Sequence, residues 1–441
     1  MSAIKPSAVV EKKFLLPFIL VTSLFALWGF ANDVTNPLVA VFKDVFVIDN
    51  AQSTWVQMAF YGGYATMALP AAIFIRKFSY KSGIIVGLIL YAVGALLSIP
   101  AASGANFNLF IIALYILTFG LAFLETTANP YILSMGSPET STRRLNLAQA
   151  FNPIGSLTGM FIAGTVILST IEVEDFKSDV NGFYSELQPA AEQKQEHEIL
   201  PFLKAKERER VNDANVKTYV MNLGPDAQDV GSTALVDFKD GKIASFQGKS
   251  HTELQKHDLK IVSMPYMIIG FVVIGVMVIF IITKMPDTSP KGDLHDVHFG
   301  RTVGRLMGNP RYVGGVVAQT FYVGAQIMCW TFIIQYAENE LGIDKATAQN
   351  HNILAMVIFL CSRFICTFFL KYVSPGRLLF VLSVAGIACT LGAIHLQGMQ
   401  GLYSLVAISA CMSLMFPTIY GLALDGVGED AKLGSAGLIF A

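Results

Sequence analysis

Charged side chains are scarce in this sequence, and that scarcity excludes an ordinary soluble protein. Asp, Glu, Lys and Arg make up 14% of the 441 residues, whereas 53% are hydrophobic; soluble domains usually carry about 25% charged residues. A single apolar core cannot absorb so much apolar sequence at this length, so a lipid bilayer is the predicted solvent. The net charge is −1, which gives no sign of a nucleic-acid partner.

Cysteines are few, and the motifs of redox, metal and enzyme sites are missing. The membrane part of the sequence has no phosphate-binding loop, no metal cluster and no set of nucleophile, base and orienting residue. We therefore expect neither an enzyme nor a bound metal or cofactor. The first apolar stretch is too long for a cleavable signal peptide. The cysteines lie in apolar stretches without zinc or redox spacing and are predicted to be inert packing residues: Cys329, Cys361, Cys366, Cys389 and Cys411.

Ten apolar stretches are long enough to cross a bilayer, which takes about 20 residues. An eleventh begins at Leu433–Ala441. Two similar basic stretches, Phe74–Gly83 and Phe369–Arg377, lie six spans apart. The sequence therefore predicts an all-α membrane protein with two six-helix halves, the plan of many secondary transporters. The predicted spans are Phe14–Val41, Thr54–Ile75, Ser82–Ala101, Phe107–Met135, Leu145–Thr170, Met264–Thr283, Tyr312–Ala337, Asn350–Leu370, Leu378–Leu396 and Leu402–Leu424.

Lys and Arg are unevenly shared between the short loops. The N-terminal tail and every second loop hold most of them, whereas the alternate short loops hold only Lys43 and Lys345. The positive-inside rule then predicts a cytoplasmic N-terminus in the inner membrane. The predicted divisions are an N-terminal half over residues 1–284, a cytoplasmic linker over 285–311 and a C-terminal half over 312–441.

A charge-rich insert, Ile171–Val262, separates spans five and six and carries a net charge of −5. Its position predicts that it faces the exterior. Its first part, around Glu192–Arg210, is helix-prone. Its second part predicts two strands, Leu235–Lys239 and Lys242–Phe246, joined by an Asp-Gly turn. We expect a small α+β cap, with an unstructured insertion as the alternative.

Three ionisable side chains lie inside the spans: Asp33, Glu125 and Arg363. Such groups are costly in a bilayer and are functional unless paired. Burial of Glu125 favours its neutral form, which suits a carboxyl that exchanges a proton; the alternative is a carboxyl locked to Arg363 or to amides. Arg363 has three open roles, namely substrate binding, pairing with an acid or snorkelling to the cytoplasmic end. Pairing or snorkelling is favoured.

Amides, an acid and aromatic side chains follow single faces of spans one, five and seven. Sugars are bound by such amides and by aromatic ring faces. Hydrogen bonding between helices is the alternative for each residue, and a polar patch at a helix kink is the alternative for span one. The candidate sugar-binding residues are Asn32, Asp33, Asn36, Gln149, Asn152, Tyr322, Gln326 and Trp330.

At these residues the sequence resembles the fucose permease group of the major facilitator superfamily, the fucose–galactose–glucose proton symporters. The matching stretches lie in both halves and keep the order of the group: Leu27–Asn32, Ala59–Tyr64, Leu124–Tyr131, Arg144–Gly155, Pro265–Ile269, Tyr322–Trp330 and Phe416–Leu424.

The resemblance implies a twelve-helix carrier that works by alternating access, uses the proton gradient and takes up L-fucose or a related hexose. Glu125 falls on the family's proton-linked glutamate, and Gln149 and Asn152 fall on its span-five amides. The family's span-one acid falls on Asn36, and Asp33 lies one turn earlier as a second candidate for proton coupling.

The twelve-span plan also implies further residues beyond Ala441. We expect a monomer whose partners are the sugar, the proton and the lipid bilayer. A glucose/galactose symporter and a transporter-derived sugar sensor are the alternatives.

Overall fold

The computed structural model describes residues 8–167, 170–193, 214–223, 227, 229–286, 299–343 and 345–441. Ten helices in this part of the chain are long and apolar enough to cross a membrane. They correspond to the ten stretches predicted from hydropathy, and the predicted all-α membrane fold is confirmed. The chain is a multi-pass membrane protein.

The N-terminal half contains six candidate spans and the insert. The fifth span is divided into α5 and α6, and α6 continues into a short π-helix, Ala163–Ile167. The insert contributes α7, α8 and α9, and the sixth span is α10. The helices are α1 (Leu15–Phe46), α2 (Asn50–Lys77), α3 (Tyr80–Ser103), α4 (Phe107–Ser134), α5 (Ser141–Gln149), α6 (Asn152–Ile162), α7 (Glu172–Gln193), α8 (Ala214–Met221), α9 (Val230–Lys239) and α10 (His251–Ile282).

The C-terminal half follows a short linker helix and contains four candidate spans and one shorter apolar helix. Its last candidate span is divided, like span five, into two helices. The helices are α11 (Phe299–Met307), α12 (Pro310–Leu341), α13 (Lys345–Phe369), α14 (Pro375–His395), α15 (Met399–Met412), α16 (Met415–Ala423) and α17 (Ala431–Phe440).

Polar side chains mark where several of these helices begin. Asp49 accepts a hydrogen bond from the Gln52 amide at 2.6 Å, and Asn106 accepts one from the Leu109 amide at 3.1 Å. These caps satisfy amide groups that the first helical turn leaves without partners. The loops between spans can therefore stay short.

Glycines allow α1 and α6 to approach closely. A Cβ atom added to Gly155 would overlap the Ala26 carbonyl oxygen, and one added to Gly29 would overlap the Asn152 carbonyl oxygen. Small residues at such a crossing let helix backbones touch inside a bilayer. This contact places the start of α6 beside the middle of α1, where the span-one candidates lie.

The bundle has two ends, which we name by what lies there. The N-terminal face is the end at which α1 begins, and the insert face is the opposite end, where α7 meets the end of α1. Hydrogen bonds between the two halves cluster toward the N-terminal face. Examples join Asn146 Nδ2 to Thr418 Oγ1 at 3.2 Å and Lys432 Nζ to the Ile75 carbonyl oxygen at 3.2 Å. We call this face closed, because described residues of the two halves are hydrogen-bonded to each other across it.

The predicted hairpin in the insert is wrong. Val230–Lys239 is a helix, and its apolar residues are buried at helical spacing. The Asp-Gly pair ends this helix, with Gly241 at a φ of 81°, instead of turning between strands. Beyond it, one antiparallel bridge joins Phe246 to Lys249. Residues 194–210 of the predicted helical stretch lie outside the described residues.

The described part of the insert packs around aromatic side chains. The Phe176 ring lies 5.0 Å from that of Phe238 and 5.2 Å from that of Phe246. Asp258, on α10, accepts hydrogen bonds from the amides of Glu172 and Val173 at 3.0 and 2.9 Å. These contacts agree with a folded cap, although the domain division itself stays a prediction.

An ion pair attaches the insert to span one. Lys177 Nζ on α7 lies 2.8 Å from Asp44 Oδ2 near the end of α1, and their side chains are 19% and 11% exposed. Lys177→Met should lower the free energy of unfolding by about 1–2 kcal/mol, between the values for an exposed and a fully buried ion pair, because it leaves the largely buried Asp44 carboxylate without its partner. Thermal unfolding of the purified protein measures this loss.

Two variants accompany that measurement. The double variant Lys177→Met with Asp44→Asn should regain much of the loss, since no unpaired charge is left. Lys13→Met should have little effect, because its pair with Glu11 is exposed at 65% and 49%. Equal effects of Lys13→Met and Lys177→Met would show that the insert is not held by this pair.

Candidate functional site

Glu125 lies on α4 and is 5% exposed. No described group forms a hydrogen bond or ion pair with its carboxyl, so it is not locked to Arg363 or to an amide of the described residues. The opposite half approaches the next residue of α4, where Ser435 Oγ lies 3.2 Å from the Thr126 carbonyl oxygen. A buried carboxyl without a counter-charge favours its protonated, neutral form.

Arg363 lies on α13 and is 4% exposed. Its Nε donates a hydrogen bond to the Ser413 carbonyl oxygen, and its Nη1 donates one to the Gln149 carbonyl oxygen at 2.9 Å. The guanidinium carbon lies 4.6 Å from the centre of the Phe359 ring. Arg363 was predicted to pair with an acid or to snorkel to the cytoplasmic end. Among the described residues it does neither: this cation binds two carbonyl groups and stays buried.

The span-five amides are held by different partners. Gln149 Nε2 donates to Asn129 Oδ1 at 2.9 Å, in a buried contact. Asn152 Nδ2 donates to the Phe25 carbonyl oxygen of α1 at 3.2 Å. Asn129 was not among the residues singled out from the sequence. It follows Glu125 by four residues and so shares a helix face with it, a signal that could have found it.

The span-one candidates lie on the part of α1 that crosses α6. Asn32 and Asp33 are both half-buried. The Asn32 Oδ1 atom is buried and accepts no hydrogen bond from a described group. One turn earlier, Trp28 Nε1 donates a hydrogen bond to the Tyr64 hydroxyl. The side chain of Asn36 lies outside the described residues.

The span-seven candidates differ in their contacts. The Tyr322 hydroxyl donates to the Met412 carbonyl oxygen at 3.0 Å, and Trp330 Nε1 donates to Ser409 Oγ at 3.3 Å. Both bonds hold helices of the C-terminal half together, as the alternative of helix–helix bonding predicted. Gln326 is half-buried. The Trp330 ring also packs against Phe359, with centroids 5.4 Å apart.

The structure thus links residues of both halves into one polar centre. Asn129, Gln149 and Arg363 are joined by hydrogen bonds, and Phe359 connects Arg363 to Trp330.

At the N-terminal face, Arg305 donates two hydrogen bonds of 2.7 Å to Asp430 and holds the pKa of that carboxyl below its usual range. Within the described chain, no group of His, Cys, Asp and Glu is placed to hold a metal ion.

A multi-pass protein with two helical halves and a buried carboxyl between them belongs to the class of membrane carriers. The sequence profile described as Major Facilitator Superfamily matches residues 19–172. The chain is 46% identical to an L-fucose-proton symporter of Haemophilus influenzae over 98% of this chain and 87% of that protein. It is 27% identical to a glucose/galactose transporter of Brucella abortus, over 95% of this chain and 82% of that protein.

A solved structure gives the same result. The crystal structure of the E. coli fucose:proton symporter FucP matches with a TM-score of 0.73 and 29% identity, over 97% of this chain and 89% of that one. The chain therefore belongs to the L-fucose-proton symporter family of the major facilitator superfamily. The resemblance inferred from the sequence is confirmed.

Proposed function

We propose that this protein takes up L-fucose, or a related hexose, together with protons. The observation that carries this proposal is the buried Glu125, which has no counter-charge among the described residues and lies beside a contact between the halves, in a chain 46% identical to an L-fucose-proton symporter. A carboxyl in that setting loses its proton only at a large electrostatic cost unless water or a partner reaches it, so its protonation can be tied to the position of the two halves.

The proposed cycle starts from the state in the structure. The N-terminal face, cytoplasmic by the positive-inside rule, is closed. A proton from the exterior neutralises Glu125, and the sugar binds between the halves. Gln149, Asn152 and the span-one amides donate and accept its hydrogen bonds. The halves then rock about the bound sugar, the cytoplasmic face opens, and sugar and proton leave.

We further propose that the protein acts as a monomer in the inner membrane with a cytoplasmic N-terminus. The proton gradient is its energy source, without a cofactor. A glucose/galactose symporter is the second candidate, favoured by the Brucella abortus relative. A sugar sensor would bind without net uptake.

One experiment separates these functions. The protein expressed from its whole gene is reconstituted into proteoliposomes, and counterflow is measured with L-fucose, D-galactose and D-glucose. We expect L-fucose to exchange fastest and an imposed inward proton gradient to drive its accumulation. Exchange of glucose and galactose alone would favour the second candidate. Binding without flux would favour the sensor, and absence of binding would refute sugar transport.

Asp33 provides a residue-level prediction for the sugar site. Positions 33 and 36 lie about 60° apart around the helix and about one turn apart along it. A carboxylate at either position can accept sugar hydroxyls, and charge-assisted hydrogen bonds are about twice as strong as neutral ones. Asp33→Asn should therefore weaken sugar affinity about tenfold, a change of ~1.4 kcal/mol. Equilibrium binding of the labelled sugar measures it.

A reciprocal exchange sharpens this test. Asp33→Asn combined with Asn36→Asp should restore part of the affinity, whereas Asp425→Asn, at an exposed residue of the N-terminal face, should leave it unchanged. If Asp33→Asn changes neither affinity nor its pH dependence, Asp33 is a structural residue and Glu125 is the remaining coupling acid.

A further inference from the structure

Two prolines, one in each half, leave backbone carbonyl groups without their helical donors. In an α-helix the amide at position i donates to the carbonyl at i−4, and proline has no amide hydrogen. Pro153 therefore cannot donate to the Gln149 carbonyl, and Pro417 cannot donate to the Ser413 carbonyl. The two divided spans break at these places, since α5 ends at Gln149 and α15 ends just before Ser413.

Arg363 donates to both of these carbonyl groups. Its Nη1 lies 2.9 Å from the Gln149 oxygen in the opposite half, and its Nε binds the Ser413 oxygen in its own half. A guanidinium presents several N–H groups in a rigid fork, so one side chain can serve two acceptors. The cation thus joins the two helix breaks across the interface.

A third proline repeats the arrangement beside Glu125. Pro130 lies inside α4 and leaves the Thr126 carbonyl without its helical donor. The Ser435 hydroxyl, from the opposite half, lies 3.2 Å from this carbonyl oxygen and 2.8 Å from the Lys432 carbonyl oxygen of its own helix, so its one hydrogen is shared between the two acceptors. Two hydrogen bonds between the halves therefore end on carbonyls that prolines have freed.

Backbone carbonyl groups freed by prolines are suitable acceptors for a contact between the halves that has to break during transport. A neutral carbonyl binds a cation less strongly than a carboxylate does, because it carries no charge. The Arg363–Gln149 bond can then break when the halves separate without leaving a buried anion behind. The prolines keep the carbonyls available, since no helical amide competes for them.

We propose that Arg363 is a positioning residue of the sugar site and, with Ser435, the latch that keeps the N-terminal face closed. Gln149 is held at its carbonyl by Arg363 and at its side-chain amide by Asn129. The latch therefore fixes a predicted sugar ligand only while this face is closed. The sugar-binding part rests on the proposed function; the latch does not.

The first test reports on closure and requires no sugar. Thr142 is 7% exposed and faces Gly421 of the other half, where an added Cβ would lie 2.8 Å from Thr142 Oγ1. Thr142→Cys is introduced into a variant whose five native cysteines are replaced, and its rate of labelling by a small maleimide is measured in the purified protein. Arg363→Met should raise this rate about tenfold.

The proline variant separates a latch from a merely structural role. Pro153→Ala supplies an amide that competes with Arg363 for the Gln149 carbonyl. It should raise the labelling rate several-fold without lowering the unfolding temperature. Two controls should not change the rate: Pro70→Ala, at an exposed proline in α2, and Arg311→Met, whose partner Asp425 lies in the same half.

The second test measures sugar affinity. Arg363→Met and Gln149→Ala should each weaken L-fucose binding about tenfold, and the double variant should bind about as well as Gln149→Ala alone, because both act through the same group. Arg363→Lys, a point charge that reaches one carbonyl, should fall between Arg363→Met and the unaltered protein.

Labelling rates equal to those of the controls, or additive losses of affinity, would overturn the proposal. If Arg363→Met does not fold, Pro153→Ala and Arg363→Lys still decide it. Absence of L-fucose binding by the unaltered protein would instead refute the proposed function, while the labelling result would still test the latch.

Discussion

Replacing Glu125 by Gln is expected to abolish accumulation of sugar against its gradient while leaving sugar exchange intact. The amide has the shape of the protonated carboxyl and cannot release a proton. Because no described residue compensates a charge at this position, the neutral side chain fits the surroundings as the protonated acid does. Exchange requires only that the sugar-loaded carrier switch between its outward-open and inward-open states. Net uptake also requires that a proton be released in each transport cycle.

The measurement compares two fluxes in the same proteoliposomes. Proton-driven accumulation of L-fucose should fall to the equilibrium level, and counterflow should stay within a few-fold of the unaltered protein and become less dependent on pH. Glu139→Gln, at an exposed residue of the N-terminal face, is the matched control and should change neither flux. Accumulation at the normal level in Glu125→Gln would assign the coupling proton to another group, with Asp33 the next candidate.

Replacing Gly155 by Ala is expected to disrupt the N-terminal half. The added methyl group would overlap the Ala26 carbonyl oxygen and crowd the Phe30 amide nitrogen at 2.9 Å. These are backbone atoms, so no side-chain rotation can relieve the overlap, and α1 and α6 must move apart. Such overpacking costs about 3 kcal/mol or more. The movement would also separate Asn152 from α1.

Unfolding temperature and yield of monodisperse protein test this expectation. Gly275→Ala is the control, because a Cβ atom at Gly275 would meet no atom within 4 Å, and it should be neutral. The milder site on the same crossing is Gly159, where the added atom would lie 2.8 Å from the Phe30 carbonyl oxygen; Gly159→Ala should show a smaller loss. Full stability of Gly155→Ala would mean that the two helices are not in backbone contact.

The membrane plan could be predicted because it depends on local composition. A bilayer requires about 20 apolar residues at each crossing. Each span can therefore be recognised from its own residues, whichever helices it packs against. The same holds for the cost of an acid inside a span, which singled out Glu125. The ten predicted spans and the burial of Glu125 agree with the structure.

The insert shows where local patterns are ambiguous. An Asp-Gly pair between two short apolar runs predicts a hairpin, yet the same pair also ends a helix, because glycine adopts the left-handed conformation that follows a helix C-terminus. The apolar residues of Val230–Lys239 fit a helical face as well as a strand. Packing against α7, with Phe238 on Phe176, decided between the two.

The sequence by itself determined the solvent, the number of spans, the family and the acid that we assign to the proton. These properties follow from residue types and their order. Only the tertiary structure decided what Arg363 binds, because its acceptors, the Gln149 and Ser413 carbonyls, are backbone groups 214 and 50 positions away. Prolines can be read from the sequence, but which side chain reaches the carbonyl groups they free depends on how two helical halves meet.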